Sequence, residues 1–274
     1  MSSKKRMRRT LRYMRARWPI YIGLYGALII LVVFIGLSVA VGWYSFVPFS
    51  LAIILILSYL LVAFIYVAYR INDAPGGSAA DILFDLAQTR PVDKVVCLDV
   101  GLRETAVTIA QHLTTGEVTV IDLYNPTSNN NASLRRARKR VGRPPVDPRL
   151  NWIDGSINLL PLPDRSVSAV YMNQILSEFW LPEERSQLLV EARRILIPEG
   201  RLLVAEPVRA KSDLLLTGIV TYLLPSQEQW QSVLTDAGFI IRRQENARGL
   251  LYCVRADKPS PTAGKQMQLN LEYI

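Results

Sequence analysis

KVVCLDVGLRETA, residues 94–106, is an apolar run that ends in a glycine and passes at once into helix-forming residues. Val95, Val96, Leu98 and Val100 carry the continuous hydrophobicity of a strand covered on both faces, so a central place in a parallel sheet is expected. Gly101 lets the backbone turn, and a helix is expected from near Arg103. A strand feeding a helix N-terminus through a glycine turn is a nucleotide-binding geometry, because the first helical turn offers unpaired N–H groups. Asp122 closes the next apolar run, GEVTVIDL, 21 residues after Gly101. In nucleotide folds a carboxylate there accepts hydrogen bonds from both ribose hydroxyls; capping its own turn is the competing role. Arg103 and Thr105 stand where the glycine-rich form of this turn has further glycines.

Outward from that stretch, strand and helix patterns alternate. Strands are expected at 94–100, 117–122, 150–154, 167–172 and 201–206, and helices at 103–113, 132–141, 183–197 and 227–237. Such alternation means a parallel sheet with helices on both faces. Segments 239–244 and 250–255 are joined by only five residues, too few for a crossover helix, so they must pair antiparallel. The expected fold class is therefore α/β: a Rossmann-like, seven-stranded, mostly parallel sheet with an antiparallel C-terminal hairpin. Ser78 followed by Asp81 reads as a capping box for the helix SAADILFDLAQT. Cys97 and Cys253 lie inside apolar strand-like runs and are expected to be reduced packing residues, with no metal site. His112 falls on the helix after Gly101, where packing or surface is its expected role.

Of the 274 residues, 18–69 form a run of 52 without Asp, Glu, Lys or Arg, interrupted midway by GWYSFVP. It divides into two segments of about 22–24 residues, each long enough at 1.5 Å per residue to cross a hydrocarbon layer of about 30 Å. Lys4, Lys5, Arg6, Arg8, Arg9, Arg12, Arg15 and Arg17 supply eight of the net nine positive charges before that run begins. The rest of the chain is nearly balanced, so the basic pI speaks for membrane orientation rather than for nucleic acid. A retained transmembrane hairpin with both termini cytoplasmic is expected, as a multi-pass cell-membrane protein of two spans. The expected organisation is a basic cytoplasmic leader (1–17), the hairpin (18–70), a linker with a leading helix (71–93), an α/β domain (94–257) and a flexible tail (258–274).

Four stretches in order resemble class I S-adenosylmethionine-dependent methyltransferases with a type 11-like domain, and cover roughly residues 78–257. The strand-turn VVCLDVGLRETA keeps Asp99 and Gly101 of a D-x-G-x-G-x-G pattern. NWIDGSINLLPLPDRSVSAVYMNQIL resembles the family's passage through the third and fourth strands, with Asp154, Pro161, Pro163 and Asp164 in place and Ser168 where the family has Asp. EARRILIPEGRLLVAEP keeps Glu191, Arg194, Pro198 and Gly200, and SQEQWQSVLTDAGF is similar to the helix before the terminal hairpin.

The resemblance implies S-adenosylmethionine as cofactor. Asp122 would hold the ribose hydroxyls, Asp154 with Gly155 the adenine amino edge, and Asp99 with Gly101 would lie beside the methionine part. Tyr171 and Asn173 would face the sulfonium and the acceptor; no catalytic base is named. The apolar stretch DLLLTGIVTYLLPS, residues 213–226, falls where the family builds its acceptor pocket, and core packing is its competing role. Arg135, Arg136, Arg138, Lys139, Arg140 and Arg143 form a second basic run, readable as a solvated face or as one attracted to an anionic leaflet. The leading expectation is a membrane-anchored methyltransferase acting on a lipid, quinone or other membrane-associated small molecule. The alternative is a non-catalytic methyltransferase-like membrane subunit whose partner is a membrane protein. Binding of nucleic acid is disfavoured, since no aromatic interleaving accompanies the basic run.

Overall fold

The computed structural model describes residues 8–74, 78–127, 131–141, 146–209 and 219–260. They fall into two compact units, one made of residues 1–74 and 209–223, the other of 75–208 and 224–274.

In the first unit a basic helix, α1 (Arg8–Ala16), precedes two long apolar helices, α2 (Trp18–Val41) and α3 (Phe46–Asn72). Gly42 ends α2 with φ of +83°, a left-handed cap that glycine adopts without strain, and the chain reverses within four residues. Both long helices are apolar nearly all round, and only 6% and 17% of their most apolar windows are buried. Length and composition allow each to cross a bilayer. The Thr10 backbone N–H donates to the Asp73 carboxylate at 2.7 Å, fixing α1 against the far end of α3. A short helical turn, α8 (Ile219–Thr221), also packs on α3.

The second unit is a seven-stranded sheet in the order β3-β2-β1-β4-β5-β7-β6. The strands are β1 (Lys94–Asp99), β2 (Glu117–Asp122), β3 (Leu150–Asp154), β4 (Val167–Asn173), β5 (Leu196–Pro207), β6 (Ile240–Ala247) and β7 (Leu251–Asp257). The first five pair in parallel, whereas β7 runs antiparallel between β5 and β6, as a short connection requires; it comprises only 248–250, because β6 continues through Ala247. Helices α4 (Ala79–Ala87) and α5 (Glu104–His112) cover one face. The other carries α6 (Ala132–Arg140), α7 (Pro182–Ile195) and α9 (Gln227–Asp236). Val95, Val96, Cys97 and Leu98 are all buried because β1 is central and covered on both sides.

The capping box at Ser78 forms as the sequence predicts: the Asp81 backbone N–H donates to Ser78 Oγ, and the Ser78 backbone N–H to the Asp81 carboxylate. His112 stacks on Phe84 with ring centroids 4.6 Å apart and places Nε2 2.9 Å from Asp81 Oδ1, a packing role at the domain surface. Both cysteines are buried, and burial pushes the Cys253 thiol up to about 12. One boundary differs from expectation. Helix α7 stops at Ile195 and β5 begins at Leu196, five residues earlier than the sequence suggests. Pro198 disfavours helical geometry at Ile197, which is drawn into extended backbone instead. The expected flexible tail lies outside the described residues from 261 onward, as do Arg143 of the basic run and residues 213–218 of the apolar stretch.

Candidate active site

The register brings the expected site residues into one row. Asp99 pairs with Asp122 and Asp122 with Asp154, so three aspartates end β1, β2 and β3 side by side. Asn173 ends β4 one residue beyond Met172, the partner of Leu98. From β1 the chain proceeds to one side of the sheet and from β4 to the other. The carboxyl ends of these neighbouring strands therefore flank a topological switch point, where open α/β sheets hold their ligands.

Each side chain in the row has its own arrangement. Asp99 is buried, and its carboxylate accepts from the backbone N–H groups of Gly101 and Arg103, both at 2.9 Å, and of Leu102 at 3.3 Å. Its oxygens are thus turned into its own loop, and Asp99 shapes the site. Burial raises its pKa, with the backbone donors acting in the opposite sense. The loop holds Gly101 at φ +88° and Arg103 at φ +65°. Arg103 therefore occupies a left-handed conformation that glycine takes freely and other residues at a cost of about 1–2 kcal/mol. Its guanidinium lies over the Trp152 ring, 5.7 Å from the centroid.

Thr105, the other residue in a glycine's place, receives a hydrogen bond from Asn173 Nδ2 at 2.9 Å. That bond crosses the switch point. It leaves Asn173 Oδ1 enclosed, with no hydrogen-bond partner among the described residues. Asp154 is exposed at the end of β3. Gly155 follows it and donates its N–H to the Asp122 carbonyl at 3.0 Å. An added Cβ at Gly155 would stand 2.3 Å from Ile121 Cγ2, so only glycine fits this close approach of β2 and β3.

Tyr171 is placed otherwise than expected. Its ring is fully buried in the face under α4, with the hydroxyl bonded to Thr89 Oγ1 at 2.5 Å and its pKa pushed up to about 12 by burial. Alternation along β4 sends Tyr171 and Asn173 to the same face of the strand, yet only Asn173 lies beyond the sheet's covered region. Tyr171 therefore packs the core and does not face a ligand.

Two residues were not expected at this place. Arg138, from the basic run on α6, reaches over the turn and puts Nη1 2.8 Å from each carboxylate oxygen of Asp122 and 2.6 Å from the Val100 carbonyl. Its Cζ sits 4.1 Å from the Tyr124 ring centroid. Glu206, near the end of β5, is completely buried and accepts from the N–H groups of Leu176 (2.7 Å) and Ser177 (3.2 Å). Burial pushes its pKa up to about 7. Nothing local marked either: Arg138 is one arginine among several, and Glu206 is an isolated carboxylate in an apolar strand.

Residues 98–204 match the methyltransferase domain family. Among solved structures, the chain superposes on a SAM-dependent methyltransferase from Aquifex aeolicus with a TM-score of 0.50 and 18% identity, covering 65% of this chain and 88% of that one. The [4+2]-cyclase SpnF gives a TM-score of 0.50 and 18% identity over 66% of this chain and 80% of that one. An uncharacterized 37.1 kDa protein in transposon TN4556 of Streptomyces fradiae is 30% identical over 132 residues, 47% of this chain. The match spans 34% of that protein's length.

The row of residues fits S-adenosylmethionine by its donor and acceptor chemistry. The cofactor's ribose hydroxyls and ammonium need acceptors, and the site has the Asp122 carboxylate, engaged here by Arg138, and Asn173 Oδ1, which has no hydrogen-bond partner among the described residues. The parallel sheet with its antiparallel terminal hairpin is the fold of the S-adenosylmethionine-dependent methyltransferases on which it superposes, and residues 98–204 within it match the methyltransferase domain family.

Proposed function

We propose that the protein is a membrane-anchored methyltransferase that transfers the methyl group of S-adenosylmethionine to a lipid, quinone or other membrane-associated small molecule. The observation that carries this reading is the compact unit formed by residues 1–74 together with 209–223. In sequence α8 lies between β5 and α9, yet it packs on α3 and belongs with the apolar helices. Chain that follows β5 in sequence is thereby assigned to the hairpin's unit, which suits an acceptor that resides in the bilayer. In this reading residues 1–17 are a cytoplasmic leader, 18–70 the anchor and 94–257 the catalytic domain, with both termini cytoplasmic.

Asp122 would accept the ribose hydroxyls and Asn173 Oδ1 the ammonium group. Asp154 with Gly155 would border the adenine, and the Asp99-caged turn would carry Gly101 beside the methionine part. When bound, the cofactor supplies a methyl group already activated on a sulfonium. The residues at the switch point then need only hold it in line with an acceptor, since alignment accounts for much of the catalysis of such a transfer. Glu206 takes no part as a base, because both its oxygens are engaged by backbone donors.

A second reading, a non-catalytic membrane subunit, is favoured by Arg103 and Thr105 in the places of glycines. Full chain in bilayer nanodiscs, supplied with methyl-labelled S-adenosylmethionine and an organic extract of the host membrane, separates the two. Label passing into the organic phase supports the enzyme. Cofactor binding without any transfer to membrane components overturns the proposed substrate class, and absence of cofactor binding favours the non-catalytic subunit.

A further inference from the structure

We propose that Arg138 is an internal occupant of the cofactor site, so that S-adenosylmethionine binds only as the Arg138 guanidinium leaves Asp122. The inference rests on the reading of Asp122 as the ribose-binding carboxylate.

The geometry is that of a ligand already seated. Nη1 lies 2.8 Å from both Asp122 oxygens, the acceptors that a ribose's hydroxyl pair would otherwise use, and 2.6 Å from the Val100 carbonyl. It also covers the glycine face: a Cβ built on Gly101 would stand 1.8 Å from Nη1 and 2.4 Å from Cζ. Glycine at that position keeps the backbone open to close approach, and the group making the approach is the arginine itself. The guanidinium is held from outside by the Tyr124 ring at 4.1 Å. Three independent features of the site, its carboxylate, its turn and its flanking aromatic, are thus engaged by one side chain.

Arg138 is not committed to the core. Its side chain and that of Asp122 remain 25% and 20% exposed, and Leu134 is the buried residue of α6, so the guanidinium can swing outward while the helix stays anchored. Cofactor affinity is then reduced by the fraction of molecules in which Asp122 is held. Charge-assisted hydrogen bonds of this kind are strong enough to make that reduction about tenfold or greater.

The test uses full chain in nanodiscs of neutral lipid. Binding of S-adenosylhomocysteine and of the uncharged fragment methylthioadenosine is measured by calorimetry for the native chain, Arg138→Gln and Arg138→Lys, with melting midpoints recorded for each. Arg138→Gln is expected to bind both probes about tenfold or more tightly. Raising salt to about 1 M, where the Debye length is about 3 Å, is expected to strengthen methylthioadenosine binding to the native chain and leave the glutamine variant unchanged. If a folded Arg138→Gln or Arg138→Lys chain binds no better than native and salt has no effect, Arg138 is no competitor and the proposal falls while the cofactor reading stands. Weaker binding by Arg138→Gln makes the arginine a cofactor ligand and likewise overturns it. If no chain binds either probe, Asp122 is not a ribose site and the cofactor reading itself is overturned.

Discussion

Arg194 Nε lies 3.1 and 3.2 Å from the two carboxylate oxygens of Glu191, one helical turn earlier on α7, and the pair together grips the loop between β3 and β4. Glu191 accepts the Leu160 N–H at 2.9 Å, while Arg194 donates to the carbonyls of Leu160 and Leu162 and to the Asp164 carboxylate. The guanidinium depresses the Glu191 pKa, and the two acids raise that of Arg194. The clamp thus holds the loop that closes over Gly155, whose own Cβ would meet Pro161 at 3.3 Å.

Arg194→Ala leaves Glu191 enclosed without its cation and takes a donor from the Leu160 and Leu162 carbonyls, of which Leu160 keeps the Leu162 N–H at 2.8 Å. A loss of about 3 kcal/mol is expected, at the lower end for a broken buried pair because Arg194 is 24% exposed. Thermal melting of the full chain in detergent checks it. An unchanged midpoint would show that the loop is held by its prolines alone.

Glu206 gives a pH dependence of opposite sense to that of Glu191. Its folded pKa of about 7 lies above the ordinary glutamate value, so the folded state retains a proton that the unfolded chain has lost. Stability is expected to fall as pH rises from about 4.5 to about 7, then to level off. Glu206→Gln, which cannot ionise, should flatten that slope in melting curves across the window. Parallel curves for the native and glutamine chains would mean that Glu206 is not the titrating group.

Gly155→Ala forces a methyl group to within 2.3 Å of Ile121 Cγ2, a side chain that is fully buried. The overpacking is expected to cost about 1–3 kcal/mol, and Ile121→Val in the same chain should recover part of it. Additive losses in the double variant would place the strain elsewhere.

The proposed topology predicts that protease applied to sealed spheroplasts leaves residues 78–260 intact, and digests them only after the membrane is opened. Digestion before opening would put the domain on the outer side.

Much of the fold was legible because its signals are local. The continuous hydrophobicity of 94–100, the Ser78–Asp81 capping box and the short connection before β7 each fix their own piece of backbone. The motif fragments around Glu191, Arg194 and Asp164 were recognisable for the same reason, and the structure gives their meaning: they are two halves of one clamp. What could not be read is what depends on the third dimension. Tyr171 and Asn173 share a strand face, and only the depth of the covering helix α4 separates a core ring from a site amide. Arg138 is indistinguishable in sequence from its basic neighbours, and its role arises because α6 passes over the ends of β1 and β2. The helix after β4 ends early because of one proline, whose effect on its predecessor was visible but was outweighed by the apolar pattern.

Residues 209–223 also determine how the protein can be taken apart. The polypeptide passes between the two compact units at 74/75, at 208/209 and again at 223/224. Cutting the linker before Ala79 severs the first passage and leaves the other two. The fragment would keep α8 without α3, the helix on which it packs. A preparation of the α/β unit without the hairpin therefore requires replacing α8 as well as removing α2 and α3.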